Sequence, residues 1–134
     1  MIVSTRGRYA LRVLVDIAEH SKNEMIPLKE IAERQQISQK YVESIMSLLS
    51  KSNFVDAAHG KGGGYKLNRP AEQYKVGDIL RLTEGTLAPV ACLEKDAAEC
   101  ERKPQCRTLK LWSKLDDLIE GYLDSVTLAD LIKE

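Results

Sequence analysis

Histidine and cysteine are scarce in this chain, with two of the first and three of the second in 134 residues. His20 and His59 lie far apart in the chain. No Ser/His/Asp or Cys/His set stands out around them, so an enzyme is not expected. Long apolar runs are also absent. Nothing approaches the about 20 apolar residues that cross a bilayer, and no membrane partner is expected. Arginines interrupt the apolar residues of the opening stretch, MIVSTRGRYALRVL, which therefore does not read as a secretory signal. The expected location is the cytoplasm, where disulfides do not persist, and an odd number of cysteines cannot all pair. Net charge is zero, which argues against a general polyanion binder. Aromatic residues are few, at 5%, but the length suffices to bury a core without covalent staples. One domain with a small appendage is expected.

The charge that is present is unevenly placed. Residues 1–75 hold 12 Lys+Arg against 8 Asp+Glu, and residues 76–134 hold 8 against 12. The first part is thus the candidate for facing phosphates. Neither an internal repeat nor a low-complexity segment is visible. Ser4 or Thr5 caps a first helix, along which Tyr9, Ala10, Val13, Leu14, Ile17 and Ala18 recur on one face. His20 ends it and suits the helix dipole. Pro27 fits the first position of a short second helix, with Glu30 in its first turn. QQIS (35–38) is a tight turn with Ile37 in the core, and Ser38 caps a third helix whose Val42, Ile45, Leu48 and Leu49 face inward. Met46 reads as a core edge. Phe54-Val55 and Tyr65–Leu67 are short strands joined by a glycine-rich tip. A helix over 76–85 ends at Gly85, and Pro89 forbids helix in the extended stretch that follows. The last long helix is expected to begin near Cys106. Leu111, Trp112, Leu115, Leu118, Ile119, Tyr122, Leu123 and Val126 give it a heptad-like stripe. Trp112 and Tyr122 are read as packing residues on this stripe. TLADLIKE (127–134) adds one or two turns.

Two short amphipathic helices, a tight turn and a glycine hairpin are the order of a winged helix-turn-helix. The expected fold class is mainly α with a small β-hairpin wing, followed by a long C-terminal dimerisation helix. The third helix presents Ser38, Gln39, Lys40, Tyr41, Glu43 and Ser44 opposite its core stripe. A helix fits the major groove, where Gln pairs with adenine, Glu accepts from cytosine and Lys reaches guanine or phosphate. The wing offers His59, Lys61 and Lys66 for a minor groove or for phosphates. The bland alternative is that the two helices and the hairpin are only a core. GKGGGY is neither a nucleotide-binding P-loop nor a dinucleotide fingerprint, because no Lys-Ser/Thr follows and Tyr65 stands where a third glycine belongs.

All three cysteines, Cys92, Cys100 and Cys106, fall in CLEKDAAECERKPQC, a charged stretch with C-x7-C-x5-C spacing. This is not zinc-knuckle spacing. Thiolates are soft ligands that suit iron–sulfur clusters, zinc or copper(I). On the residues alone, metal or cluster binding, thiol redox sensing and no function all stay open.

STRGRYALRVLVDIA, PLKEIAERQQISQKYVESIM, HGKGGGYKL, VGDILRLTEG and LDSVTLADL together resemble the IscR/NsrR/CymR family of bacterial winged-helix repressors, in order and over essentially the whole chain. The resemblance implies a homodimer built on the long C-terminal helix that reads a pseudo-palindromic operator in double-stranded DNA. It places DNA contacts at Tyr41 and Glu43, and a 2Fe–2S or 4Fe–4S cluster on Cys92, Cys100 and Cys106. It implies no fourth ligand, since the position of the IscR-type histidine holds Leu109 and the position of the NsrR-type acidic residue holds Arg8. Glu94, Asp96, Glu99 and Glu101 are nearby oxygen donors. The wing also departs from the family: His59 replaces an arginine before the first glycine, and Pro27 replaces a capping serine. The expected organisation is a DNA-binding winged helix over 1–85, a sensor loop over 86–106, and a dimerisation helix with C-terminal segment over 107–134. The expected function is a repressor whose operator affinity is switched by the cluster in response to iron–sulfur status, redox state or nitric oxide. Alternatives are a cluster-free repressor switched by a partner protein, as in CymR-type members, or by thiol oxidation, and an interaction module that no longer binds DNA.

Overall fold

The computed structural model describes residues 3–133. Met1, Ile2 and Glu134, the outer ends of the segments read above as 1–85 and 107–134, lie outside the described residues. In chain order the elements are α1 (Thr5–His20), α2 (Leu28–Gln35), α3 (Gln39–Lys51), β1 (Val55–Ala58), β2 (Gly64–Leu67), α4 (Val76–Glu84), α5 (Leu109–Ser125) and α6 (Leu128–Lys133). Single 3-10 turns occupy Ala71–Gln73, Ala91–Leu93 and Lys103–Gln105. The strands form one antiparallel hairpin with Val55 opposite Leu67 and Ala58 opposite Gly64.

Helix ends follow from local chemistry. The Ser4 hydroxyl caps α1 by accepting from the Gly7 N–H at 3.0 Å. Its own proton goes to the Glu84 carboxylate at 2.7 Å, which joins the start of α1 to the end of α4. Pro27 is the residue before α2 rather than its first residue. Its φ of −61° suits either place, but ψ is 142°. The preceding Ile26 exchanges both backbone hydrogen bonds with Tyr65 of β2, at 2.8 and 2.9 Å, and this pairing keeps the chain extended through Pro27. Gln36 turns the chain in the left-handed region at φ 55°. Ser38 then caps α3 by accepting from the Tyr41 N–H at 3.2 Å.

The core is a continuous apolar cluster drawn from α1, α2, α3, β1, α4 and α6, with Ile26, Ile37 and Tyr74 from the connections. Met46 is fully buried, at the centre of the cluster and not at an edge, because it follows Val42 by one helical turn. Asp16 is the one buried charge among the described residues, at 1% exposure. Arg34 of α2 grips it with two hydrogen bonds, Nε to Oδ2 at 3.0 Å and Nη2 to Oδ1 at 2.8 Å. The Gln35 amide adds a third at 2.9 Å. His20 does more than complement the dipole, since its Nδ1 lies 2.8 Å from the Asp16 backbone oxygen.

The long helix starts at Leu109, not near Cys106. Cys106 follows the proline-containing turn at 103–105 with extended ψ of 110°. The stripe of α5 divides in two. Ile119, Leu123 and Val126 pack with Val76, Leu80 and Leu87, whereas Leu111, Leu115, Leu118 and Tyr122 are 57%, 37%, 58% and 69% exposed. Arg81 of α4 clasps Asp124 of α5 through two bonds of 2.9 and 2.8 Å. After α5 the chain returns to the core, where Leu128 is fully buried and its N–H reaches the Tyr74 carbonyl at 3.0 Å.

Burial pushes the Asp16 carboxyl up, but the hydrogen bonds from Arg34 and Gln35 and the Arg34 charge outweigh it and hold it below the usual carboxylate range. A folded value below the unfolded one stabilises the fold above the unfolded pKa, and the contribution fades as pH falls through the folded value. Stability is therefore expected to decline below about pH 4, with a shallower decline in Asp16→Asn. Asp16→Ala strands Arg34 and Gln35 and is expected to cost about 2–4 kcal/mol. Urea unfolding at several pH values checks both, as a shift in midpoint at unchanged slope.

Candidate nucleic-acid interface and cysteine loop

Recognition of duplex DNA by a helix needs polar side chains on the face opposite the core, held on a backbone that does not yield. α3 supplies both. Val42, Ile45, Met46 and Leu49 are buried, whereas Ser38, Gln39, Lys40, Tyr41, Glu43 and Ser44 are exposed. The Ser38 hydroxyl accepts the capping bond from the Tyr41 N–H. Tyr41 is 37% exposed. The edge of its ring meets Tyr9 of α1, with centroids 5.6 Å apart and planes at 72°. The sequence reading assigned Tyr9 to the core stripe of α1. It is in fact half-buried and supports the recognition helix from the side. Its place one helical position before Ala10 was the only signal available, and that signal does not separate the two roles.

The wing stands beside α3. His59 and Lys61 are exposed at its tip, and Lys66 pairs across the strands with Asp56. The tip closes through the Gly63 N–H to the Gly60 carbonyl at 3.0 Å, with Gly60 and Gly62 at positive φ of 85° and 79°. Gly64 has a different reason to be glycine. A Cβ there would lie 2.2 Å from the Ile26 carbonyl oxygen, so the wing can hydrogen-bond to the segment before α2 only because that side chain is missing. At the base of the wing, burial and then the Glu43 charge push the Tyr65 phenol upward, which places the Glu43 carboxylate within electrostatic reach of β2. The exposed residues of α3 and of the wing tip that the sequence singled out thus lie on two neighbouring elements, α3 and the β1–β2 hairpin.

The three cysteines sit in the connection between α4 and α5. Each is an exposed free thiol. Cys92, Cys100 and Cys106 line a single cavity of about 570 Å³, with Leu93 and Leu109 among its walls. Of the four acidic residues considered as oxygen donors, Glu99 shares this cavity. It also lies 4.0 Å from Lys103. Glu94 and Asp96 line a neighbouring cavity with Cys92. Among the described residues, no three histidine, cysteine or acidic side chains converge on one metal position. The donor set nonetheless fits an iron–sulfur cluster, being three soft sulfurs facing one partly apolar space. The thiols come closer only if the loop changes shape. Its backbone permits that, since the hydrogen bonds within 90–106 each close a local turn, such as Leu93 N–H to Val90 O at 3.2 Å and Cys106 N–H to Lys103 O at 3.2 Å. The Thr108 hydroxyl, 3.6 Å from the Cys106 sulfur, is the main influence holding that thiol below the usual range, with the Thr108 backbone next.

Comparison with known proteins agrees with this geometry. The family model described as an iron-dependent transcriptional regulator, Rrf2, matches residues 3–134. A regulator named IscR from Serratia proteamaculans is 36% identical over 132 residues, covering 98% of this chain and 79% of its own. The protein rrf2 of Nitratidesulfovibrio vulgaris is 37% identical over 134 residues, covering 100% of this chain and 89% of its own. The solved structure of CymR, the global cysteine regulator of B. subtilis, superposes with a TM-score of 0.81 at 32% identity, covering 99% of this chain and 97% of that one. No helix among the described residues is long and apolar enough to cross a membrane.

Gly64→Ala is expected to break the pairing of the wing with Ile26 without disturbing α3. Amide hydrogen exchange checks this: protection is lost at Ile26 and Tyr65 and retained at Ile45, Met46 and Leu49.

Proposed function

The chain belongs to the Rrf2 family of transcriptional regulators, and from that premise we propose that it binds a pseudo-palindromic operator as a homodimer whose affinity is set by a 2Fe–2S or 4Fe–4S cluster on Cys92, Cys100 and Cys106. Residues 1–85 carry the DNA contacts, at Ser38, Gln39, Lys40, Tyr41, Glu43 and Ser44 of α3 and at His59 and Lys61 of the wing. Residues 86–106 sense, and 107–134 dimerise. The protein acts in the cytoplasm, as a repressor.

One observation carries the reading: the three thiols share a cavity at the start of α5, the helix that also exposes Leu111, Leu115, Leu118 and Tyr122. These four recur at i, i+4, i+7 and i+11, the seam of a helix pair. Buried against a second copy, they fix the separation of two recognition helices, and hence which half-site spacing the dimer fits. A bound cluster supplies a redox-labile centre that responds to iron–sulfur status, oxidation or nitric oxide. Drawing the thiols together shortens the loop and shifts the start of α5. Arg81 and Asp124 hold the other end of that helix on α4. The tilt of α5 is therefore what changes, and with it the relative stability of the DNA-fitting dimer. Glu99, the one acidic side chain that lines the cavity with the three thiols, would be the nearest protein donor for a fourth ligand, and a small molecule would otherwise fill that place.

The second reading is a cluster-free repressor of the same fold, switched by thiol oxidation or a partner protein. It is favoured by the dispersed thiols, each exposed and unpaired, and by the likeness to a cysteine regulator.

Anaerobic purification separates the two. The cluster reading predicts a coloured protein with matching iron and acid-labile sulfide. A Cys92/Cys100/Cys106→Ala triple variant is expected to be colourless and still a folded dimer. A triple variant that keeps its colour contradicts the ligand assignment, and a colourless wild type that resists reconstitution leaves the second reading. Independently, Leu118→Glu is expected to give a monomer in sedimentation that keeps the wild-type helix content. A dimer unchanged by this substitution rejects the assigned interface.

A further inference from the structure

Burial separates two cations from the rest. Arg34 and Arg81 are half-buried and ion-paired. Arg6, Arg8, Arg12, Arg102 and Arg107 are exposed, where water carries the charge. Lys66 and Arg69 are half-buried, and every other lysine is exposed. Among the described residues neither Lys66 nor Arg69 has a carboxylate within ion-pair distance. Lys66 stands opposite Asp56 in the hairpin without closing an ion pair on it.

These two side chains line the same cavity, of about 460 Å³, together with Lys22. Ser21 and Asn23 add polar wall, Leu67 and Pro70 add apolar wall, and no acidic side chain lines it. Four other cavities each include an acidic wall residue, such as Glu94, Glu84, Glu99 and Glu19 respectively. Three separate segments supply the cations: the turn after α1, strand β2 and the connection to α4. Arg69 is also held in place. Its guanidinium carbon lies 5.3 and 4.9 Å from the Phe54 and Tyr74 ring centroids. Its Nε donates to the Asn68 side-chain oxygen at 2.9 Å, and its Nη2 to the Asn53 backbone oxygen at 2.6 Å. Both acceptors are neutral, so the full charge remains. A partly desolvated cation without a counter-charge favours an incoming anion, and a clamped guanidinium loses little entropy in binding one.

The cavity lies away from the recognition face. It adjoins Ala18 and Ser21 at the end of α1, whereas Tyr9, whose ring meets Tyr41, is near the start of that helix. Nine residues of helix separate Tyr9 from Ala18, about 14 Å at 1.5 Å per residue. In the hairpin, Leu67 and Arg69 lie at and beyond the end opposite the tip. No wall residue belongs to α5, so the cavity uses none of the interface assigned above.

We propose that Lys22, Lys66 and Arg69 form a binding site for a small organic dianion, a phosphate monoester or a dicarboxylate, at the base of the wing. The volume falls in the range of small-molecule sites, about 300–1,000 Å³, and Leu67 and Pro70 offer apolar wall to a carbon skeleton. The ligand ties the turn after α1 to the wing. The site depends neither on the operator reading nor on the cysteines.

The test titrates isotope-labelled full-length protein with inorganic phosphate, with succinate and with acetate at constant ionic strength, following backbone amides by NMR. Saturable shifts at Lys22, Asn23, Lys66 and Arg69 are expected from a dianion, with acetate about tenfold weaker. The tighter of the two dianions names the head group. Arg69→Gln is expected to weaken binding by about tenfold, and Lys29→Gln, outside the cavity, to leave it unchanged. Because Arg69 also clamps Asn53, Lys22→Gln with Lys66→Gln is the second variant, expected to keep the wild-type melting midpoint and to lose the saturable shifts. Shifts that do not saturate, that are as large at lysines elsewhere, or that persist in the double variant overturn the proposal. So do shifts at these amides from a duplex that the wild type has selected from a randomised pool, with none from either dianion, which would assign the cavity to DNA.

Discussion

A buried carboxylate organises the part of the molecule that faces outward. Asp16 lies in the middle of α1 with almost no exposure, and its solvation is replaced by three hydrogen bonds from Arg34 and Gln35. Those two residues end α2. The carboxylate therefore sets where α2 stops, and the next residues, Gln36 to Ser38, set where α3 begins. A buried ion pair of this kind adds little net stability against a well-packed apolar alternative, but it tolerates no loss of one partner. Here it fixes the relative placement of two helices. Gln35 extends the same network to Arg12 at the surface, so the position of the recognition helix and the cationic face of α1 share one origin.

The C-terminal half joins this frame through buried Ile79 of α4 and Leu128 of α6 and through polar clasps nearer the surface. Ser4 and Glu84 join the start of α1 to the end of α4. Arg81 and Asp124 join α4 to the last turns of α5. Between those clasps runs the cysteine loop, whose backbone hydrogen bonds within 90–106 close local turns, such as Cys106 N–H to Lys103 O. In the proposed switch, Arg81 and Asp124 hold the far end of α5 on α4 while the near end follows the loop. The Arg81 hydrogen bonds and charge hold the Asp124 carboxyl below the usual carboxylate range.

Much of this was legible in the residues. Apolar periodicity located α1 to α4 and the core stripe of α3, because those helices are amphipathic and short enough to show one face each. The polar face of α3 and the wing tip followed from the same pattern. The end of α2 against Pro27 was misplaced by one residue because proline's fixed φ suits both positions, and only the pairing of Ile26 with Tyr65 decides between them. The start of α5 was placed too early, since Thr108 at its N-cap makes no side-chain capping bond and the proline-containing turn at 103–105 precedes it. The stripe of α5 gave no hint that Ile119, Leu123 and Val126 turn toward α4 while Leu111, Leu118 and Tyr122 stay outside. That division depends on where α4 lies. Tyr9 and Asp16 were invisible as organising residues, because their partners are separated from them by 32 and 18 positions in the chain.

The central claim is that the state of Cys92, Cys100 and Cys106 sets the affinity of α3 and the wing for DNA. Its most direct test divides one anaerobic preparation in two, strips iron and sulfide from one half, and compares the affinity of both for the same selected duplex at one salt concentration. The account predicts affinities that differ by about tenfold or more, a coupling of at least about 1.4 kcal/mol. Equal affinities of cluster-loaded and stripped protein would contradict it.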